Sequence, residues 1–169
     1  MFIEMIIAGI TMDPVSNTPI IILKDLEGKQ ALPIWIGVLE ASSIATILGN
    51  IKPPRPMTHD LLKNILDNLQ VTVDRIEVTD IKENTFYATI HLLVDNEKIA
   101  IDARPSDAIA LALREHSPIF VDEKVIENSR SVVSDKPEGE EKGSKDKEAE
   151  KWKEILENLS PEDFGKYKM

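Results

Sequence analysis

The clearest pattern in the chain is a short apolar strand that leads through a polar turn into an apolar helix, at residues 99–115. Pro105 fixes its φ angle and lacks an N–H donor, which suits the first position of a helix, and Ser106 or Asp107 can accept hydrogen bonds from free first-turn amides. Residues 108–113 are all apolar, so this helix is predicted to lie in the interior. Any chemistry is therefore expected in the turn at residues 102–107.

Other apolar positions predict two groups of strands. Residues 1–12, 18–23 and 30–36 carry few charges and many β-branched side chains, which is typical of an antiparallel meander. From residue 71 the apolar positions alternate, and the pattern predicts strands at 71–78, 85–94 and 98–103, with a bulge near Asp74. Residues 118–121 and 125–126 are predicted to close the sheet as short strands.

Two further helices are predicted, at residues 39–48 and 58–69, with Thr58 as the cap of the second. The second helix has an apolar stripe at helical spacing, made of Leu61, Leu62, Ile65, Leu66 and Leu69, and an opposite polar face that includes His59 and Asp60. The predicted fold is therefore α+β, with a mixed and mainly antiparallel sheet packed against about three helices.

A weak similarity relates the two halves of the chain. A shift of 65 positions aligns residues 34–48 with residues 99–113 and gives five identities in fifteen. One interpretation is an internal βββα repeat, and the other is that any two strand-to-buried-helix units share apolar positions.

Composition and charge exclude some classes of function. The 169-residue chain has no cysteine, which excludes disulfides, thiolate metal sites and cysteine nucleophiles. The net charge is −10 in all and −8 over residues 1–128, which opposes a broad basic surface for nucleic acid but allows a local site. No apolar run approaches a membrane span, and the chain is predicted to be cytoplasmic.

Three segments are predicted along the chain. Residues 1–128 form one domain, and residues 129–150 are rich in Ser, Lys, Glu and Gly and are expected to be a disordered charged linker. Residues 151–169 regain an apolar pattern and are expected to form a short C-terminal helix or tail.

Three ordered blocks carry a resemblance to a known family. They are LPIWIG at residues 32–37 with Glu40 and Ala41, PRPMTHDL at 54–61 and IDARPSDAIAL at 101–111, followed by PIFV at 118–121. Together these blocks resemble the bifunctional nuclease domain family over roughly residues 1–128. The resemblance implies an α+β domain, often a homodimer, and for some members nuclease activity on DNA and RNA.

The same blocks contain side chains suited to phosphodiester hydrolysis, which needs an activated nucleophile and positive charge near the phosphate. Carboxylates are the ligands that Mg²⁺ or Mn²⁺ prefers, and arginines that precede helix starts favour phosphate. The candidate metal ligands are Glu40, Asp60 and Asp102, the candidate phosphate-binding residues are Arg55 and Arg104, and the candidate catalytic residues are Asp102, Arg104, Asp107 and His59.

Each candidate also has a purely structural interpretation. Asp60 and Asp107 lie in first helical turns, where acids are favoured as caps, and Arg104 can pair with Asp107 or Asp102. His59 can be a solvated surface histidine, whereas Glu40 beside a buried helix requires a partner.

The leading prediction is a nuclease that hydrolyses phosphodiester bonds in DNA and/or RNA with a divalent cation, Mg²⁺ or Mn²⁺. The alternatives are a non-catalytic dimeric binding or regulatory module and a sensor of a phosphate-bearing ligand.

Overall fold

A computed structural model describes residues 1–133, which form an α+β fold around one seven-stranded sheet. The strand order across the sheet is β3-β2-β1-β7-β4-β5-β6, and every neighbouring pair is antiparallel except the parallel pair β4 and β7. The strands are β1 (Phe2–Met12), β2 (Pro19–Asp25), β3 (Ala31–Trp35), β4 (Thr72–Lys82), β5 (Thr85–Val94), β6 (Glu97–Ala103) and β7 (Ile119–Asp122). The predicted bulge near Asp74 is confirmed as a register shift between Val73 and Arg75.

Four helices are described, namely α1 (Val38–Leu48), α2 (Thr58–Asn68), α3 (Pro105–Glu115) and α4 (Glu123–Val133). The prediction of about three helices missed α4, and the predicted strand at residues 125–126 is wrong because both residues lie in this helix. Val125 and Ile126 are adjacent and both buried. Two adjacent apolar residues occur in short strands and also on the buried side of a helix, so the pattern does not distinguish the two.

Helix α4 also crosses the predicted domain boundary at residue 128 and continues to Val133. The rest of the predicted linker and the predicted C-terminal helix lie outside the described residues. None of the helices described in residues 1–133 is long and apolar enough to cross a membrane.

Helix α3 is the interior helix that the sequence predicts. Residues 108–112 are fully buried, and the helix contacts α1, α2, β4 and β5. It begins as expected, with Arg104 as the N-cap residue and Pro105 in the first turn. No side chain makes a cap hydrogen bond there, so the expectation that Ser106 or Asp107 supplies one is wrong.

The two halves of the sheet share the order strand, strand, strand, helix, but an internal repeat is not shown. Helices α1 and α3 begin at Val38 and Pro105, a separation of 67 positions. The gapless similarity at 65 positions therefore does not align the helix starts.

Helix α2 packs in the orientation opposite to the one its pattern predicts. Of its apolar stripe only Leu66 is buried, and four side chains are exposed. These four, Leu61, Leu62, Ile65 and Leu69, are called the leucine face below. The polar side, with His59 and Asp60, is turned towards α3 instead.

The start of α2 also differs from the prediction. Its N-cap residue is Met57 rather than Thr58, and the Met57 amide donates to Asp60 Oδ2 at 2.8 Å. Asp60 therefore caps the helix from within its first turn, as the interpretation of Asp60 as a capping residue predicts.

Candidate functional site

The N-terminal turns of α1, α2 and α3 meet at one hydrogen-bonded chain of side chains. These hydrogen bonds run from Glu40 in α1 through Arg104, the N-cap of α3, and Asp107 in α3 to His59 in α2, and end at Ser43 in α1. These five residues are called the junction cluster below. Three segments far apart in sequence therefore contribute to one site.

Arg104 occupies the centre of the junction cluster. Its Nε donates to Asp107 Oδ2 at 2.6 Å and its Nη2 to Asp107 Oδ1 at 3.0 Å, a two-pronged contact that fixes the plane of the guanidinium. Its Nη1 donates to Glu40 Oε1 at 2.9 Å. A guanidinium has five N–H donors, so these bonds leave two for another acceptor. The side chain is nonetheless 65% exposed.

His59 lies between a carboxylate and a hydroxyl group. Its Nε2 is 3.1 Å from Asp107 Oδ1, its Nδ1 is 2.8 Å from Ser43 Oγ, and its side chain is only 13% exposed. The interpretation of His59 as a solvated surface histidine is therefore wrong. Both ring nitrogens have partners, so the ring orientation is fixed from both sides.

Asp107 is held as a carboxylate by its neighbours. Burial is the largest single influence and raises its pKa, but hydrogen bonds from Arg104 and His59 together hold the pKa below the ordinary aspartate value. The ionised carboxylate only accepts hydrogen bonds, which suits an arginine and a histidine on its two oxygens.

Glu40 reaches Arg104 because Gly37 leaves room for it. A Cβ atom at Gly37 would overlap Glu40 Oε2, so the carboxylate is folded back over the start of α1. Gly37 has a φ of −71°, which any residue adopts, so the glycine is needed here for space and not for its backbone conformation.

Asp60 belongs to a different interaction. Arg114 Nε donates to its Oδ1 at 2.6 Å, and the Met57 amide occupies its Oδ2. The Arg114 side chain is 3% exposed, and it also donates to the main-chain carbonyls of Ala110 and Ser43 at 2.8 and 3.3 Å. This buried guanidinium joins the starts of α1 and α2 to the end of α3.

Asp102 lies outside the junction cluster because of strand alternation. It is directly opposite Thr89, which is in turn opposite Glu77, so the three residues share one face of the sheet. The buried face carries Ala88 and Ile90 instead. Arg55 lies exposed in the connector between α1 and α2.

The predicted metal ligands do not come together. Glu40 is bound to Arg104, Asp60 is bound to Arg114, and Asp102 is on another face of the sheet. Within residues 1–133 no group of three or more His, Asp or Glu side chains is arranged to hold a metal ion. The three residues therefore do not fit a shared Mg²⁺ or Mn²⁺ site in this arrangement.

A second cluster on β4 and β5 repeats the arginine, carboxylate and histidine combination. Arg75 Nε donates to Glu77 Oε1 at 2.7 Å, Arg75 Nη1 donates to Asp74 Oδ2 at 2.6 Å, and His91 Nε2 is 2.8 Å from Glu77 Oε2. Unlike the junction cluster, it is built on two neighbouring strands and includes no hydroxyl group in these contacts. It supplies matched controls for the experiments below.

Glu77 makes folding depend on pH. Burial raises its pKa, but Arg75 and His91 more than offset that effect and leave the pKa below the ordinary glutamate value. We expect Glu77→Gln to lower the free energy of unfolding at neutral pH by about 1 kcal/mol. The stabilisation by Glu77 is complete above about pH 4.5 and is lost as the pH falls through its lower, folded-state pKa.

Urea unfolding at neutral and acidic pH measures this effect. The difference between wild type and Glu77→Gln is expected to shrink towards about pH 3. Glu27→Gln, which removes an exposed partner of Lys29, is the control and should change little at either pH. A Glu77→Gln difference that grows on acidification would contradict the assignment.

Sequence reasoning did not identify Ser43 or Arg114. Ser43 sits in a helix of small and apolar residues, where nothing in the pattern separates it from Ser42. Arg114 carries a usable signal, because it follows six apolar residues on a helix predicted to be interior, where a charge requires a partner.

Comparisons with known proteins agree with the three sequence blocks. A family model of the bifunctional nuclease domain matches residues 21–134. An uncharacterized protein of Mycobacterium tuberculosis is 37% identical over 162 residues, which are 95% of this chain and 97% of the relative. Bifunctional nuclease 1 of Oryza sativa subsp. japonica is 31% identical over 114 residues, which are 64% of this chain and 34% of that protein.

A second plant relative gives the same picture. Bifunctional nuclease 2 of Arabidopsis thaliana is 31% identical over 106 residues, or 60% of this chain and 32% of that protein. The chain thus spans about a third of the length of these plant relatives, and nearly all of the mycobacterial one. The family model covers well over half of the chain, and the chain therefore belongs to the bifunctional nuclease domain family.

Proposed function

We propose that this protein hydrolyses phosphodiester bonds of DNA and/or RNA at the junction cluster. The observation that carries the proposal is the state of Arg104, which is immobilised by two carboxylates and yet is 65% exposed with two N–H donors left over. An arginine fixed in this way can bind a phosphate group without first losing much conformational freedom.

The neighbouring residues have complementary roles in this proposal. Arg104 stabilises the negative charge that develops on the phosphate, and the positive dipole ends of α1 and α3 add to the positive field. The Nδ1 atom of His59 accepts the proton of the nucleophile that attacks the phosphorus. Asp107 orients the His59 ring through its contact with Nε2. Arg55 remains a predicted second phosphate contact, and the predicted role of Asp102 would have to be exerted from outside the cluster.

The charge of the domain restricts how nucleic acid binds. Residues 1–128 carry a net charge of −8, so long-range attraction to a phosphate backbone is absent. Affinity must come from local contacts around Arg104. Catalysis by Mg²⁺ or Mn²⁺ remains an expectation without a shared ligand set, because Glu40, Asp60 and Asp102 do not converge.

Cleavage of end-labelled single-stranded DNA, duplex DNA and RNA tests the proposal. The assay compares Mg²⁺, Mn²⁺, Ca²⁺ and EDTA, with Arg104→Ala purified in parallel to reveal contaminating nucleases. Cleavage by wild type well above Arg104→Ala is expected. Equal background cleavage by both proteins in every condition would reject nuclease activity and favour the non-catalytic alternatives, a regulatory module or a phosphate-ligand sensor.

We also propose that the protein is a homodimer that buries the leucine face. Four large apolar side chains on one helical stripe are exposed in the single chain, and neighbouring Met57 extends the patch. A patch on one helix can pair with its own copy across a two-fold axis.

Light scattering after size-exclusion chromatography tests the dimer. Wild type is expected to elute at twice the chain mass, and Ile65→Glu at the chain mass, because a charge at the centre of the patch cannot be buried without a partner. Asn64→Glu, at an exposed polar position of the same helix, is the control. A monomeric wild type would contradict the proposal.

A further inference from the structure

We propose that Ser43 is a nucleophile activated by His59 and Asp107, and that it forms a covalent phosphoryl ester with the substrate. The proposal rests on the proposed function for its substrate, a phosphodiester. It adds a covalent step and a residue that neither the sequence nor the family relationship points to.

The proton positions follow from the chemistry of the partners. The carboxylate of Asp107 can only accept, so His59 Nε2, 3.1 Å from Asp107 Oδ1, must carry a proton. In the neutral ring Nδ1 then has a free lone pair. Ser43 Oγ, 2.8 Å from Nδ1, donates its own proton to that lone pair.

This is the relationship that activates a serine. A base that accepts the hydroxyl proton, and is itself oriented by a carboxylate, makes the oxygen nucleophilic at neutral pH. The two ring nitrogens are exchanged relative to the usual serine hydrolase arrangement. Both nitrogens can serve as the base, because the carboxylate selects which one keeps its proton.

Two further contacts fix the geometry. Arg114 Nη2 donates to the main-chain carbonyl of Ser43 at 3.3 Å, which anchors this part of α1. Arg104 Nη2 shares Asp107 Oδ1 with His59, so a fixed positive charge lies one carboxylate away from the base. Arg104 Nη1 also binds Glu40, which lies one turn before Ser43 in α1, so a phosphate bound at Arg104 would lie beside the helix that carries Ser43.

Two other serines of the fold have ordinary structural partners. Ser117 Oγ donates to the carbonyl of Val73 at 2.7 Å, and Ser129 Oγ donates to the carbonyl of Ile126 at 2.9 Å. Neither bond removes a proton from the hydroxyl group, because a carbonyl oxygen is a very weak base. The histidine partner distinguishes Ser43 from both.

The reaction balances without a further reactant besides water. Ser43 Oγ attacks the phosphorus and its proton passes to His59 Nδ1. The bond from phosphorus to the leaving sugar oxygen breaks, and that oxygen takes the proton from His59. In the second half, water attacks the phosphoserine, His59 accepts the proton of the water, and the released Ser43 oxygen recovers it.

Labelling with a biotinylated fluorophosphonate tests the nucleophile without any nucleic acid. The full-length wild-type protein should be labelled, with mass spectrometry placing the label on Ser43. Ser43→Ala and His59→Gln should lose the label, and Ser42→Ala, one residue away, should keep it. No label on wild type above the heat-denatured protein, or an unchanged label on Ser43→Ala, would overturn the proposal.

A second pair of variants works even if Ser43→Ala is poorly folded. The chain has no cysteine, so S43C and S42C each carry a single thiol. Iodoacetamide is expected to alkylate S43C about 10-fold faster than S42C, because the neighbouring base favours the thiolate. Equal rates in the two folded variants would overturn the proposal.

The cleavage assay separates this proposal from the nuclease proposal. If wild type cleaves nucleic acid and Ser43→Ala cleaves it equally fast, the nucleophile is wrong and the nuclease stands. If wild type does not cleave but Ser43 is labelled, the activated serine stands and the phosphodiester substrate is rejected.

Discussion

Replacing Arg104 with alanine is expected to lower the rate of phosphodiester cleavage about 100- to 1,000-fold, the usual effect of removing one preorganised donor from a transition-state charge. The guanidinium is the exposed positive centre of the junction cluster, and its loss leaves Asp107 and Glu40 as uncompensated negative charges beside the phosphate. The measurement is kcat/KM on the best substrate of the cleavage assay.

Arg104→Lys separates charge from geometry. Lysine keeps the positive charge but cannot make the two-pronged contact with Asp107 while also reaching Glu40. We expect its activity to lie between wild type and Arg104→Ala. The melting temperature should change little in Arg104→Lys and fall in Arg104→Ala, because Glu40 and Asp107 are only 19% and 31% exposed and lose their cation.

Arg75→Ala is the matched control for the effect on activity. Arg75 also bridges two carboxylates, one of which contacts a histidine, but it lies on the sheet outside the junction cluster. Its replacement should leave cleavage within about twofold of wild type. Similar losses of activity in Arg75→Ala and Arg104→Ala would show that the junction cluster has no special role.

Replacing Arg114 with alanine is expected to lower the free energy of unfolding by about 3–5 kcal/mol, the usual cost of removing one partner of a buried ion pair. The side chain is 3% exposed and connects Asp60 with two main-chain carbonyls. Its loss removes the guanidinium donors from Asp60 Oδ1 and from both carbonyls and opens a cavity beneath α2. Urea unfolding followed by circular dichroism measures the change.

Lys63→Ala is the control for the stability effect. Lys63 also lies between acidic groups on the side of α2 that faces α3, at 2.6 Å from Asp67 and 3.9 Å from Glu115, but it is about a third exposed. Its loss should cost less than about 1 kcal/mol. An Arg114→Ala variant as stable as Lys63→Ala would show that the guanidinium does not hold the three helices together.

The strands and the interior helix were predictable because their signals are local. The apolar side chains of β4, β5 and β6 alternate, and only a strand places them all on one face. Residues 108–113 are all apolar, and only an interior position removes them all from water. Helix α4 was missed because Val125 and Ile126 are adjacent, a pattern that does not distinguish the two periods.

The pattern of α2 predicted a helix correctly and its orientation incorrectly. An apolar stripe normally marks the buried side, but the polar side of α2 finds specific partners in α3, namely Asp107 for His59 and Arg114 for Asp60. These contacts pair residues 48 and 54 positions apart in sequence, so no local pattern contains them.

The candidate site was predicted in part for the same reason. The blocks identified Glu40, His59, Arg104 and Asp107, which the fold brings together, and also Asp102, Asp60 and Arg55, which lie elsewhere. The sequence shows that a residue lies next to a helix start. It does not show on which face of the sheet a side chain such as that of Asp102 lies, because that depends on where β6 ends.

The sequence by itself determined the α+β class, the strand and helix periods, the family and the turn at residues 102–107 in which function was expected. Only the tertiary structure decided which side of α2 is exposed. It also decided that the buried Arg114 side chain bonds to both α1 and α2, and that Ser43 forms a hydrogen bond with His59. The periodicity of apolar residues involves positions only a few residues apart, so it can be identified in the sequence. A hydrogen-bonded cluster depends on how three helix starts are brought to one point by the sheet.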